Sequence, residues 1–541
     1  MTTPIWDFLQ GYQLEGMSRF HMPGHKGVGP LGCEEWDITE IQGADSLYEA
    51  AGIIAESESN AAALFGAGKT LYSTEGSSQC VKAMLFLALQ NRRLGTPPVV
   101  LAARNVHKSF VHAAALLDFE PVWLWPEEAA RSLCACPVTA EGLERALSAL
   151  AAPPAAVYVT SPDYLGNMLD IAALAAVCHA RGTVLLADNA HGAYLRFLES
   201  SRHPMDLGAD LCCDSAHKTL PVLTGGAYLH ISQTAPAAFR ENARAALSLF
   251  GSTSPSYLTL ASLDLCNGYL GAEGPMGIRA AAARLTALKE KLARRGWPLV
   301  GSEPLKLTLG AAPYGWSGLE LAACLRTGGA EPEYADRDFC VLMVSPENTE
   351  EDISFLSDAL EALAPNAPLP RSVLPPVRGE RVLSVRQALF APQETVPAEK
   401  SLGRICGATT VSCPPAVPIA VPGERIGPEA LALFQYYNVE RVDVVREPPP
   451  QTCLKTGKGD TLCAGVPFLW DGADSLFGRR TPMNASVNEN CIGCGLCAGT
   501  CPEVFTMGDD GFAHGGEVPD AQMGLAQEAR DGCPVSAISI G

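Results

Sequence analysis

Between about residues 57 and 229 the chain alternates two hydrophobic periods. ESNAAALFGA and SQCVKAMLFLALQ place apolar residues three and four apart, the spacing of one helix face. PPVVLAA, AAVYVTS, TVLLADNA and GGAYLHI are short apolar runs closed by Gly, Pro or Asp, as expected of buried strands. Strands alternating with helices predict βαβ units, hence an α/β fold with a mostly parallel sheet and helices on both faces. Ligands of such sheets sit beyond the carboxyl ends of the strands, so the polar residues that close these runs are the first candidates for chemistry. After about residue 262 the pattern changes. A long Ala- and Arg-rich helix over 278–295 leads into shorter mixed segments, a smaller α+β domain ending near residue 446. Residues 447–483 are rich in Pro, Gly and Asp and lack periodicity, which reads as a linker. Residues 484–541 behave as a separate small unit. No internal repeat or low-complexity tract interrupts this plan.

The chain has 541 residues, 47% hydrophobic and 18% charged, enough apolar side chains for a large core. Its formal net charge of -20 argues against a nucleic-acid surface, which needs clustered Lys and Arg. The N-terminus MTTPIWDFLQGYQLEG has neither a basic nor an apolar leader region. No run approaches the roughly 18 apolar residues of a membrane helix. A cytoplasmic protein with no membrane contact is expected, and there 19 cysteines are not a disulfide framework.

The cysteines matter through their distribution. Cys491, Cys494 and Cys497 form C-x2-C-x2-C, Cys501-Pro502 follows, and Cys533-Pro534 lies 36 residues beyond Cys497. Thiolates suit the soft iron of a cluster, and two-residue spacing lets one loop wrap a cubane. Zinc is the alternative, although zinc usually takes two separated pairs. The segment VNENCIGCGLCAGTCPEVFTMGDDGFA with CPVSAISIG resembles single-cluster bacterial ferredoxins. That resemblance implies one [4Fe-4S] cluster held by Cys491, Cys494, Cys497 and Cys533. Cys501 is left over. Where such ferredoxins pair this cysteine in a disulfide, the partner position here is Leu525.

In the larger part of the chain, Asp214-Ser-Ala-His-Lys218 follows the strand-like run ADLCC. A lysine at a strand end can form an imine with an aldehyde cofactor. Alone, a His-Lys pair is a weak signal, since most lysines are solvated. Upstream, VLLADNAHGAY places Asp188 at a strand end, where a carboxylate can keep a pyridine nitrogen protonated. YSTEGSSQC sets Gly76, Ser77 and Ser78 before a helix, where amides and hydroxyls can hold a phosphate, although an ordinary cap is commoner. ARNVHKSF places His107 after a strand, where an imidazole can stack on a cofactor ring. The four signals together carry what none carries alone.

With FHMPGHKG, RNVHKS, TSPDYLGNMLDI, ADNAHGA, DSAHKTLPVLTGGAYL, STSPSYLTLASLD and CPPAVPIAVPGE, residues 4–446 resemble the compact form of the Orn/Lys/Arg decarboxylase family. That family is a branch of the fold-type-I pyridoxal-phosphate enzymes. The resemblance implies an N-terminal arm over 1–45, a PLP-binding large domain over 46–262 and a small α+β domain over 263–446. The linker at 447–483 and a ferredoxin-like α+β domain over 484–541 complete the organisation. It implies that Lys218 binds the pyridoxal phosphate covalently, Asp188 pairs with the pyridine nitrogen and His191 sits beside that carboxylate. His107 would stack on the ring, while Ser77, Ser78, Ser215 and His217 would hold the phosphate. Residues 252–257 resemble a segment that reaches a neighbouring subunit's cofactor, so a homodimer with shared active sites is implied. The substrate is then a basic amino acid, with Glu424 and Asp163 as candidates for its distal cation. The chain departs from the family pattern at Asp163, at Asn189 and at Cys413-Pro-Pro-Ala416, all nearer the expected substrate pocket than the cofactor. Two other readings stay open. One is an aminotransferase or lyase on the same fold. The other is a ferredoxin-type electron carrier or docking module, with a redox partner and a degenerate enzyme domain.

Overall fold

The computed structural model describes residues 1–126, 132–370, 374, 376–411, 416–447, 454–455, 461–462, 483–519 and 522–540. Cys413 and most of the segment read as a linker lie outside the described residues. The chain divides into two compact units, Met1–Arg446 and Glu447–Gly541.

The first unit is built on seven strands: β1 (Lys69–Ser73), β2 (Val99–Ala103), β3 (Glu120–Leu124), β4 (Ala156–Thr160), β5 (Leu185–Asp188), β6 (Leu211–Asp214) and β7 (Ala227–Ile231). Their order is β1-β7-β6-β5-β4-β2-β3. Strands β3, β2, β4, β5 and β6 pair in parallel, and β7 runs antiparallel to both β6 and β1. Two reversals cancel, so β1 points the same way as β6. Its carboxyl end therefore lies on the edge where β2, β4, β5 and β6 also finish.

The continuous apolar runs follow from burial on both faces. Along β2, Val100 and Ala102 pack with the helices Ser77–Gln90 and Lys108–Leu117, whereas Leu101 and Ala103 pack with Ile171–Ala180. Each fully buried Leu or Phe in these layers contributes roughly 1.5–3 kcal/mol. Two strands were not legible as apolar runs. β3 is a half-buried edge strand carrying Glu120 and Pro121, where Pro removes no needed ladder bond. β1 opens on Lys69, which donates to the Arg240 carbonyl at 2.8 Å.

The smaller α+β layer has strands β8 (Leu299–Val300), β9 (Lys306–Gly310), β10 (Tyr334–Ala335) and β11 (Phe339–Met343), ordered β10-β11-β9-β8. Helices Gly274–Arg294, Gly318–Gly328 and Glu350–Glu361 cover it with their leucine stripes. The first of these begins ahead of residue 278 because Gly274 and Pro275 form its opening turn, a position where Pro needs no partner for its nitrogen.

This layer grips the loop after β4. Thr308 Oγ1 donates to the Leu165 carbonyl at 2.9 Å, and the amides of Ser302 and Glu303 donate to the Gly166 carbonyl at 2.8 and 3.0 Å. Gly301 has φ +79°, and a Cβ there would stand 2.6 Å from the Gly166 carbonyl, so only glycine fits. Lys306 donates to the Asp163 carbonyl at 3.4 Å and pairs with Glu303 at 2.9 Å, both side chains 1% exposed. Removing one member of such a pair strands the other charge. Lys306→Met is therefore expected to lower stability by about 3–5 kcal/mol, read as a fall in the urea midpoint. The double variant Lys306→Met/Glu303→Leu should recover most of that loss.

In the second unit Met483–Val487 pairs antiparallel with Glu517–Val518 and Ile538–Ile540, backed by the helix Met523–Asp531. No helix among the described residues is long and apolar enough to cross a membrane.

Candidate active site and cluster pocket

Asp188 ends β5 and is 3% exposed. In the parallel register Tyr158 lies opposite Leu186 and Thr160 opposite Asp188. Side chains two apart share a face, so Tyr158 reaches diagonally along it and donates from Oη to Asp188 Oδ2 at 2.9 Å. The Ala190 amide donates to Oδ1 at 3.3 Å. Burial pushes the Asp188 carboxyl above its ordinary range, against the pull of Tyr158 and Lys218. A cation facing this carboxylate would restore its charge.

Lys218 lies in the one-turn helix Ala216–Thr219 that follows β6. Its Nζ is 3.2 Å from His191 Nε2. Burial lowers the lysine below its ordinary value, opposed by Asp188. His191 is held well below the usual imidazole range by burial and then by Lys218, so a neutral imidazole faces Nζ. His191 Nδ1 is buried without a hydrogen-bond partner among the described residues. Tyr164 meets the His191 ring edge-on with centroids 5.1 Å apart.

His107 caps the helix Lys108–Leu117, its Nδ1 accepting from the Ser109 amide at 3.2 Å. Burial, then Lys218, pushes it down to about 3 from an ordinary 6.5. The unfolded chain protonates His107 and His191 as pH falls through about 6.5, while the native state does not. The unfolded state then binds more protons, so stability falls with pH in that window. Replacing His107 with Asn should reduce the slope of stability against pH between 6.5 and 4 by about one proton, measured from denaturant midpoints.

Ser77 and Ser78 open the 14-residue helix Ser77–Gln90. Its N-cap is Gly76 at φ +70°, with no side-chain cap, and a Cβ on Gly76 would meet nothing within 4 Å. Ser215 Oγ donates to Ser77 Oγ at 2.8 Å. His217 Nδ1 lies 3.0 Å from the Gly226 carbonyl. An uncapped helix start, two adjacent hydroxyls and open space together suit a phosphate. With the amine of Lys218 and the buried Asp188, these residues fit an aldehyde-bearing pyridine phosphate.

The residues expected to contact the substrate differ in availability. Asp163 Oδ1 accepts from the amides of Leu165 and Asn167, both at 2.9 Å, and Oδ2 accepts from Asn167 Nδ2 at 2.8 Å. Burial raises this carboxyl to about 6. Glu424 is buried, accepts from the Val421 amide at 3.0 Å and faces the buried guanidinium of Arg104. Asn189 turns away from the site, donating to Asp214 Oδ1 at 2.7 Å. Asp214 Oδ2 also meets His203 at 2.9 Å and His230 at 3.2 Å, a buried network that anchors the end of β6 just before Ser215.

In the second unit Cys491, Cys494, Cys497 and Cys533 line one pocket, walled by Val487, Leu496 and Ile538. Gly493 (φ +68°) allows the loop to turn there, since a Cβ would stand 2.3 Å from the Gly511 carbonyl. The Ala537 amide points at Cys533 Sγ, 3.4 Å away. Four thiolates around one cavity suit a cubane cluster. Cys501 is fully buried in the apolar core of this unit, and Leu525 is exposed.

Comparison with known proteins bears on both units. A family model described as Orn/Lys/Arg decarboxylase, major domain, matches residues 3–308, and one described as 4Fe-4S single cluster domain matches residues 488–540. An arginine decarboxylase of Halalkalibacterium halodurans is 30% identical over 467 residues, 81% of this chain and 93% of the relative. A ferredoxin of Thermococcus litoralis is 46% identical over 59 residues, 11% of this chain and 98% of the relative. The crystal structure of the lysine decarboxylase of Francisella novicida superposes with a TM-score of 0.68 at 16% identity, covering 82% of this chain and 81% of that one, and supports the fold.

Proposed function

Because the chain belongs to the Orn/Lys/Arg decarboxylase family, we propose that it decarboxylates a basic amino acid, arginine, lysine or ornithine, to the corresponding amine and CO2. The observation that carries this reading is Lys218 Nζ, poised 3.2 Å from a buried, neutral His191 in a site that also holds the buried Asp188. Ser77, Ser78, Ser215 and His217 would hold the phosphate of pyridoxal phosphate, His107 would flank its ring and Asp188 would meet its pyridine nitrogen. When bound, this cofactor supplies an electron sink for the charge left on Cα as CO2 departs.

The remaining work belongs to the chain's own groups. Partial desolvation by the surrounding protein shifts Lys218 toward its neutral, nucleophilic amine. His191 Nε2, within hydrogen-bond reach of Nζ, steadies the position of the lysine side chain. Asp188, fixed by Tyr158 and the Ala190 amide, supplies a negative charge where a ring nitrogen would be protonated.

A homodimer is part of this proposal. Residues 252–254 and the apolar side chains of Leu14, Met17, Phe20 and Met22 are exposed in the single chain, as expected of surfaces that a second copy covers. The C-terminal unit would carry one [4Fe-4S] cluster on Cys491, Cys494, Cys497 and Cys533. Decarboxylation transfers no net electrons, so the cluster stands outside the chemical step. Cys494→Ser is expected to abolish the cluster's visible absorption while CO2 release continues with kcat essentially unchanged. A parallel loss of turnover in folded protein would place the cluster in catalysis. The decarboxylase reading itself is tested by CO2 release from the three amino acids under anaerobic conditions, and release from none contradicts it.

A further inference from the structure

We infer that Glu333, held by Tyr164, is the carboxylate that receives the distal cation of the substrate; this deepens the decarboxylase reading and rests on it. A basic substrate anchored at Lys218 needs an acid within reach of its far end. The two acids legible in the sequence are already engaged. Both oxygens of Asp163 accept from its own loop, and Glu424 is buried against the Val421 amide and Arg104.

Glu333 is exposed, and it stands at the end of a continuous line of contacts that begins at the reactive amine. Lys218 Nζ meets His191 Nε2 at 3.2 Å, the His191 ring meets Tyr164 edge-on with centroids 5.1 Å apart, and Tyr164 Oη donates to Glu333 Oε1 at 2.5 Å. The carboxylate is near enough to Lys218 to favour its charged form. The Glu333 amide donates to the Val341 carbonyl at 2.9 Å, which fixes the backbone just before β10. One carboxylate oxygen is oriented by a phenol and the other is left for a ligand. An ammonium or guanidinium arriving there would make a charge-assisted hydrogen bond.

The inference also explains why the acid escapes a reading of the sequence. Glu333 comes from the small layer, 115 positions after Lys218, and nothing in EPEYADRD marks it as a site residue.

The test is calorimetric binding of diamines and a monoamine to the full-length protein loaded with pyridoxal phosphate. Cadaverine, putrescine and agmatine carry the distal cation, and pentylamine lacks it. The wild type is expected to bind at least one of the three about tenfold or more tightly than pentylamine. Glu333→Gln should bring that ratio close to one and leave pentylamine affinity unchanged. Tyr164→Phe, which keeps the charge and frees its orientation, should reduce the ratio partway. A ratio preserved in Glu333→Gln overturns the inference, as does a parallel fall in affinity for all four amines, or a wild type that does not distinguish them. These ligands undergo no decarboxylation, so the readout is independent of turnover. A preference erased by Glu333→Gln in a protein that releases no CO2 would leave this site standing and remove the decarboxylase reading.

Discussion

Lys218→Ala is expected to lower CO2 release by about 10³-fold or more in a protein that still folds. The side chain is short of neighbours that could substitute for it. Lys306 is another amine near the site, but it is buried and committed to Glu303 and to the Asp163 carbonyl. The alanine variant loses the amine that would attach to the cofactor aldehyde and release the product. It keeps the phosphate contacts of Ser77 and Ser215, so pyridoxal phosphate should still bind, without the absorption of a lysine-bound imine. Loss of activity together with loss of the cofactor would instead indicate a damaged site. Turnover near the wild-type value would remove Lys218 from the mechanism.

Asp188→Asn is the second large effect. Asparagine has nearly the same shape: its single oxygen can accept from the Ala190 amide while its Nδ2 donates to the Tyr158 hydroxyl oxygen, so the fold is retained. What disappears is the negative charge. A buried carboxylate facing a pyridine nitrogen favours the protonated ring, and an amide does not. A fall in kcat of about 10²–10⁴-fold is expected, with KM changed far less. Tyr158→Phe removes one hydrogen bond to the same carboxylate and should cost roughly tenfold in kcat. A kcat in Asp188→Asn close to wild type would show that this carboxylate does not serve the ring.

The parts of the site that were legible in sequence are those whose chemistry is local. Asp188, Lys218 and His107 each follow an apolar run within a few residues, and parallel strands deliver such positions to one edge. The cluster cysteines announce themselves by spacing. What was not legible depends on register or on distant packing. Tyr158 reads only as part of an apolar strand until the pairing of β4 with β5 sets it diagonally to Asp188. Lys306 and Glu333 belong to another layer, and their contacts with the loop after β4, at Asp163 and Tyr164, cross more than a hundred residues. Asp163 shows the opposite case. Its type suggested a substrate contact, but its oxygens bind the amides of its own turn, a local competition common for Asp in loops. The edge strand β3 escaped notice because half-burial permits Glu120 and Pro121 in it.

The central claim is that this site removes the α-carboxyl group of a basic amino acid. The most direct measurement supplies anaerobic, pyridoxal-phosphate-loaded protein with arginine, lysine and ornithine, each labelled with carbon-13 at the carboxyl carbon. The account predicts labelled CO2 from one of them, in equal amount to an unlabelled amine one carbon shorter, and none of either from Lys218→Ala. Consumption of the amino acid to a 2-oxo acid that keeps the label, with no labelled CO2, would contradict it.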